Sequence, residues 1–384
     1  METADRISRM EKEAMHQMLH YHERSSKQIF KDAAKKAAGR YVAPEDLIFW
    51  PTGLLANTLG NILASGNVTN GEILSALKEY FDRWIAKGMP ILYIDDILCG
   101  NALIDLYQAT GEEKYLAGIH KMADYLLSAQ FVAEGKGSRR DGAGSLLYRE
   151  TQQNGYIFAD GIGMVCPFLS RYGAEICKEE DQIEVKTEVK NKVFDLAALQ
   201  IVNMLTYGMD DGKFLPYHGY EYKSMKKYGI IGWGRAVGWL LMGMAGTLSY
   251  LPKEHKEFDR IKKAFLKLID VVISYQKENG AFCWQLEALE GPEDSSATAM
   301  IAQAIIMGKR AEIMSEELTQ SNQKEVIERA ALFIVECEEN GHIAKCSGEC
   351  KGFAEYPQIY SAYPWSLGPG LAVLLEATEA NMIE

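Results

Sequence analysis

Several things are missing from this 384-residue chain. No apolar run reaches the length of a membrane span, which argues against a transmembrane helix. Basic residues are not in excess: 41 Lys and Arg face 53 Asp and Glu, a net charge of −12. A surface that neutralises nucleic-acid phosphates needs the opposite balance, so a nucleic-acid partner is not expected. A small anionic ligand remains compatible, because one pocket Arg suffices for it. Nor is there a Ser/Pro run, charge block or low-complexity tract to serve as a linker, and the 10 prolines mostly sit at the edges of apolar segments. One large domain over residues 1–384 is therefore expected.

Alternating runs of Val, Ile and Thr are also scarce, so few strands are expected. The opening residues, Met1 to Lys12, are charged and helical in pattern, with no signal-peptide stretch; a soluble, cytoplasmic protein is the expectation. The seven cysteines are scattered at 99, 166, 177, 283, 337, 346 and 350, an odd number that reads as reduced, mostly buried thiols. His342, Cys346 and Cys350 resemble half a metal site, but structural zinc wants four ligands in tighter pairs. His16, His20 and His22 lack an HExxH pattern or a nearby carboxylate pair and read as surface positions on a helix.

Helical periodicity, by contrast, runs almost throughout. Over residues 253–277, Phe258, Ile261, Phe265, Leu268, Ile269 and Val272 fall on one face, with Lys and Asp on the other. The stretch 112–127 behaves alike. A second kind of segment is apolar nearly all round and rich in Gly, Ala and Met: 53–64, 97–107, 161–172, 236–251, 297–307 and 367–376. A helix without a polar face must be surrounded by protein. Six such helices, each flanked by an amphipathic one, fit two concentric rings, an all-α (α/α)6 barrel. An open solenoid would show a tighter period and polar end caps.

The lead-ins to the six buried segments carry the chemistry. They are Phe49-Trp50-Pro51, Tyr93-Ile94-Asp95-Asp96, Phe158-Ala159-Asp160, Gly232-Trp233-Gly234-Arg235, Glu293-Asp294-Ser295-Ser296 and Tyr363-Pro364-Trp365. If the inner helices run the same way, these lead-ins meet at one mouth and form an aromatic-walled pocket with carboxylates and an Arg. Sugar rings stack on such walls, so a carbohydrate ligand is expected. For each Asp alone an N-cap is the better explanation, and Trp233, Trp239 and Trp365 alone read as core. Recurrence across six lead-ins favours a site, since caps need no adjacent Trp.

At these residues the sequence resembles glycoside hydrolase families 88 and 105, the unsaturated uronyl hydrolases. The resemblance rests on Asp95-Asp96-Ile97 with Gly100, Leu106-Tyr107 and Thr110 to Leu116. It continues through Asp160-Gly161 with Met164, Pro167-Phe168-Leu169 and Tyr172, then Trp233-Gly234-Arg235 with Gly238-Trp239, and Ser295-Ser296 through Met300. It covers roughly residues 45–375, with one departure: Ala236-Val237 follow the Arg where the family commonly has Gly and a polar amide.

The resemblance implies an (α/α)6 barrel and a hydrolase needing no metal or organic cofactor. Its substrate would be an oligosaccharide left by a polysaccharide lyase, ending in an anionic 4,5-unsaturated uronic acid. The reaction is hydration of the enol-ether double bond. It implies Asp160 as general acid/base, with Asp95 or Asp96 supplying a second carboxylate; Asp95 is expected to face the pocket and Asp96 the cap. Arg235 would receive the uronate carboxylate. Trp50, Trp233, Trp239 and Trp365 would supply walls, and Ser296 a further contact. His218 stands where the family has a site histidine. Unsaturated galacturonyl-rhamnose from pectin is the favoured substrate, and unsaturated glucuronyl disaccharides the alternative. A 2-epimerase on the same barrel would use histidines as acid and base, and of seven only His218 falls in a lead-in. A non-catalytic sugar-binding protein on the same barrel is the remaining reading.

Overall fold

A computed structural model describes residues 2–21, 23–40, 42, 45–66, 70–129, 142–148, 155–177, 183–314, 320–353 and 355–383. The six all-apolar segments form the helices α3 (Trp50–Ser65), α5 (Gly100–Thr110), α7 (Ala159–Arg171), α9 (Gly234–Leu248), α11 (Ser295–Arg310) and α13 (Pro364–Glu379). Each packs on the next, and α13 returns to α3, so they close into an inner ring. Between α3 and α5 the junction is completed by a 3-10 turn, Ile94–Cys99, which also packs on α7.

An outer helix backs each inner one: α1 (Glu2–His20), α4 (Asn70–Ala86), α6 (Glu113–Leu127), α8 (Ile183–Tyr207), α10 (Phe258–Ile273) and α12 (Gln320–Cys337). The (α/α)6 barrel expected from periodicity is therefore the observed one. In α10 the six residues placed on one face by periodicity are the six that are buried. The remaining helix, α2 (Ser26–Ala37), lies outside both rings and buries no residue. His16 and His20 lie exposed on α1, as expected; His22 lies outside the described residues. Among the described residues no helix is long and apolar enough to cross a membrane.

Strands are few and short. Three of them, β1 (Tyr156–Phe158), β2 (Gly219–Glu221) and β3 (Lys227–Tyr228), form an antiparallel sheet in the order β1-β2-β3, with Phe158 opposite Gly219. β4 (Glu338–Glu339) pairs with β5 (His342–Ile343). β6 (Cys346–Ser347) pairs with β7 (Tyr360–Ser361), so the loop 348–359 between them returns to the same end of the barrel.

Small residues allow the inner helices to touch backbone to backbone. Among these helices the closest approach to backbone is between α7 and α9, where a Cβ on Gly163 would stand 2.6 Å from both the carbonyl oxygen and the indole Cε3 of Trp239. Backbone cannot yield as a flexible side-chain tip can. Gly163→Ala should therefore destabilise the fold by about 1–3 kcal/mol, the usual cost of overpacking a core. Urea denaturation of the two proteins measures it, and equal midpoints would contradict this packing.

Candidate active site

The N-terminal ends of the inner helices meet at one mouth, where a cavity of about 690 Å³ opens. Its wall is aromatic: Trp50, Tyr148, Tyr156, Phe158, Tyr228, Trp233 and Phe353. Asp160, His218, Arg235, Glu349 and Lys351 bring charge or proton-transfer capacity to it. Five residues singled out in the sequence thus line one cavity: Trp50, Asp160, His218, Trp233 and Arg235.

Strand pairing explains why Asp160 and His218 meet although far apart in the chain. Phe158 of β1 lies opposite Gly219 of β2, and the Ala159 N–H donates to the His218 carbonyl at 2.9 Å. The next residue after Ala159 is Asp160, in the first turn of α7, with Phe158 as N-cap. His218 Nε2 lies 3.1 Å from Asp160 Oδ2. The contact is close but bent, so by angle no hydrogen bond forms and Oδ2 is buried without one. Oδ1, which makes no hydrogen bond and is not among the buried atoms, faces the cavity. Phe158 packs tilted against the imidazole and Trp233 edge-on to it, with ring centroids 4.6 and 4.5 Å away. The alternative reading of Asp160 as a cap does not hold, since its carboxylate accepts no backbone N–H; Asp294, by contrast, does cap α11 through Ser296 N.

Of the two adjacent aspartates, Asp96 takes the cap as expected, while Asp95 does not reach the cavity it was expected to face. Asp96 accepts the N–H groups of Leu92 at 2.6 Å and Tyr93 at 3.2 Å, and so caps the 3-10 turn. Asp95 receives the hydroxyl of Tyr148, a cavity wall residue, at 3.1 Å. Both are fully buried, and neither carboxylate lines the cavity directly. For Asp96 this corrects the expectation of a catalytic place. Burial, followed by the nearby charges of Asp46 and Asp95, holds its pKa well above the ordinary 3.8.

Arg235 lines the cavity and also has a structural task. Its Nη1 donates to the Ser347 carbonyl at 2.9 Å and the Ser347 hydroxyl at 3.0 Å, and Nη2 donates to the Gly348 carbonyl at 2.9 Å. The guanidinium also lies over the rings of Trp233 and Trp365. These bonds clamp the start of loop 348–359, while the Nε–H and the second Nη2–H make no hydrogen bond to the described residues. Ser296 belongs to the same network: its hydroxyl donates to Asp294 Oδ1 at 2.6 Å. Trp365 donates to the Ser347 carbonyl at 2.9 Å and stacks on Tyr363 at 4.5 Å. Trp239 is buried behind Trp50, 6.2 Å from its ring. Ser296, Trp239 and Trp365 are therefore behind the wall, where they hold what lines it.

Sequence reading missed the contribution of loop 348–359. Glu349, Cys350, Lys351, Gly352 and Phe353 close one side of the cavity, and Tyr356 reaches His218 from behind. The loop ends at β7 and not at a helix start, so the lead-in pattern passes over it. Its signal was aromatic density, with Phe353, Tyr356, Tyr360 and Tyr363 crowded before Trp365. Burial pushes the Cys350 thiol up to about 12, so it lines the cavity uncharged. Among the described residues no group of three or more His, Cys, Asp or Glu could hold a metal ion.

The sequence model of glycosyl hydrolase family 88 matches residues 9–382. The chain belongs to that family. It is 25% identical over 328 residues to the unsaturated rhamnogalacturonyl hydrolase YesR of Bacillus subtilis (strain 168), a match covering 84% of this chain and 87% of that protein. Its fold is similar to that of a possible member of the GH105 family from Klebsiella pneumoniae subsp. pneumoniae MGH 78578. There the TM-score is 0.75 at 16% identity, covering 99% of this chain and 93% of that one. It is also similar to an unsaturated glucuronyl hydrolase specific for heparin, with TM-score 0.68, 15% identity and coverage of 99% and 98%. This glycoside hydrolase thus shares sequence family and fold with enzymes named for unsaturated uronyl substrates.

Two outcomes follow from the geometry. Arg235→Met should cost about 3–5 kcal/mol in urea denaturation, because it leaves buried carbonyls and the Asp294 charge uncompensated. Unchanged stability with a raised KM would instead make Arg235 a substrate ligand. For Asp96, the folded state binds more protons than the unfolded state between the ordinary carboxylate pKa and its raised value. Its contribution is thus fully present below the unfolded pKa and lost as pH rises through the folded one. Asp96→Asn keeps an acceptor for the cap and should flatten that decline in a series of denaturation curves across acidic to neutral pH; an unaltered slope would assign it to other groups.

Proposed function

We propose that this glycoside hydrolase releases a terminal 4,5-unsaturated uronic acid from lyase-generated oligosaccharides, with unsaturated galacturonyl-rhamnose as its substrate. The observation that carries the reading is the single cavity-facing carboxyl oxygen of Asp160, held beside His218 within aromatic walls. The similarity to YesR supports the rhamnose-linked substrate. The cavity, about 690 Å³, is in the range that holds a small saccharide. The family match over residues 9–382 supports treating 1–384 as one catalytic unit.

In this reading the chemistry is not displacement at the anomeric carbon, which would need two carboxylates flanking that atom. Two carboxylates line the cavity, Asp160 and Glu349, and Asp160 is the one beside His218. As a carboxylic acid it delivers its proton from Oδ1 to one carbon of the enol-ether double bond. Water adds at the other carbon and loses a proton to the carboxylate, restoring the acid. The hemiketal so formed opens and frees the neighbouring sugar. Trp50 and Trp233 stack against the rings, and Asp95 acts through the Tyr148 hydroxyl it accepts. No metal or organic cofactor enters these steps.

The loss of ultraviolet absorbance from the conjugated double bond tests this on a panel of unsaturated disaccharides. Loss on the rhamnose-linked member is expected; loss only on glucuronyl members would transfer the specificity to that class. No loss on any member by folded protein would overturn the uronyl reading. Asp160→Asn should lower kcat about 10²–10⁴-fold, the span of a general acid, while the saccharide still binds.

A further inference from the structure

Tyr356 belongs to none of the motifs above, yet it makes the contact that decides the state of His218. Its hydroxyl lies 2.8 Å from His218 Nδ1. On its other side the same oxygen receives the Ile230 N–H at 3.4 Å. Its ring packs edge-on to Trp233 at 5.4 Å. The fit is close: Gly229, at φ +84°, leaves no room for a Cβ, which would lie 2.5 Å from both the Tyr356 oxygen and His218 Cβ. Burial drives the phenol pKa well above its ordinary value, so Tyr356 keeps its proton.

A phenol has one hydrogen to give. The Ile230 N–H points into the Tyr356 oxygen, so that hydrogen is free for one partner, and the partner within reach is His218 Nδ1. An Nδ1 that accepts is unprotonated, and a neutral imidazole then carries its hydrogen on Nε2. Nε2 is the atom 3.1 Å from Asp160 Oδ2.

We propose that Tyr356 is a positioning residue that fixes His218 as the Nε2–H tautomer and thereby places the acidic proton of Asp160 on its cavity-facing Oδ1. This rests on the uronyl hydrolase reading for its catalytic consequence. With an N–H on the atom 3.1 Å from Oδ2, a proton on that oxygen would crowd it even though the contact is bent, so the carboxylic acid carries its proton on Oδ1. When Oδ1 gives the proton to the substrate carbon, the negative charge left on the carboxylate is met at Oδ2 by the Nε2–H. The bent contact seen without substrate straightens as the charge forms, as catalytic hydrogen bonds commonly do. No proton passes from Tyr356 or His218 to the substrate. Because Tyr356 and the cavity residue Phe353 share loop 348–359, the loop that closes the cavity also sets the tautomer.

The test is nitrogen NMR of full-length protein with 15N-labelled histidine, recorded without substrate. The His218 resonances are identified by their absence in His218→Gln. Wild type should show a neutral ring with hydrogen on Nε2, and Tyr356→Phe, which loses only the hydroxyl, should shift it toward the Nδ1–H form. Hydrogen on Nδ1 in wild type overturns the proposal without any variant, so a failure of Tyr356→Phe to fold does not protect it. Kinetically, Tyr356→Phe should lower kcat about 10–100-fold while KM stays within about threefold, since the interaction acts on the acid and not on binding. An unchanged kcat with a shifted tautomer overturns the catalytic half. Absence of turnover in wild type on every unsaturated disaccharide instead overturns the uronyl reading, and the tautomer measurement still decides the relay.

Discussion

A buried charge at the barrel mouth organises much of what surrounds it. Arg235 begins α9 and is almost fully buried. A guanidinium taken out of water needs partners for its N–H groups, and here the backbone of Ser347 and Gly348 supplies some of them. The opposing carboxylate is Asp294 at the start of α11, which does not touch Arg235. The Ser347 hydroxyl lies between them, donating to Asp294 at 2.6 Å and accepting from Arg235 at 3.0 Å. Trp365 of α13 donates to the same Ser347 carbonyl. Three of the six inner helices are thus tied to one strand by one ionic network.

The network matters because of what hangs from that strand. Loop 348–359 carries the cavity residues Glu349 to Phe353 and then Tyr356. A loop of this length has little apolar burial of its own to hold it. Anchored at Ser347 and Gly348 by Arg235, and at Phe353 by the rings of Phe158 and Tyr228, it becomes a wall. The small β1-β2-β3 sheet anchors the facing side, since its register brings Asp160 and His218 together. The Asp160 carboxyl therefore sits between two supports, neither of which is an inner helix.

The site also shows how one residue type serves opposite ends at neighbouring positions. Asp95, Asp96, Asp160 and Asp294 all stand near helix starts. Asp96 and Asp294 satisfy backbone N–H groups, Asp95 accepts a tyrosine hydroxyl, and Asp160 keeps one oxygen toward the cavity. The difference lies in where the turn aims each side chain. Placement in sequence alone does not reveal it.

The barrel itself was legible in the chain. All-apolar segments of helical period have only one stable environment, the inside of a second ring, so their period alone assigns six helices to the inner layer. Trp50, Asp160, Trp233 and Arg235 could be brought to one mouth for the same reason, as lead-ins to those helices, and His218 by the family resemblance. Tertiary structure alone decided the rest. Whether Arg235 faces substrate or loop depends on which donors the loop backbone occupies, and the role of Tyr356 depends on a contact with His218 across 138 positions of sequence. Hydrophobic period records which face of a helix is buried. It does not record the path of a loop, and hydrogen-bond partners far apart in the chain leave no period to read.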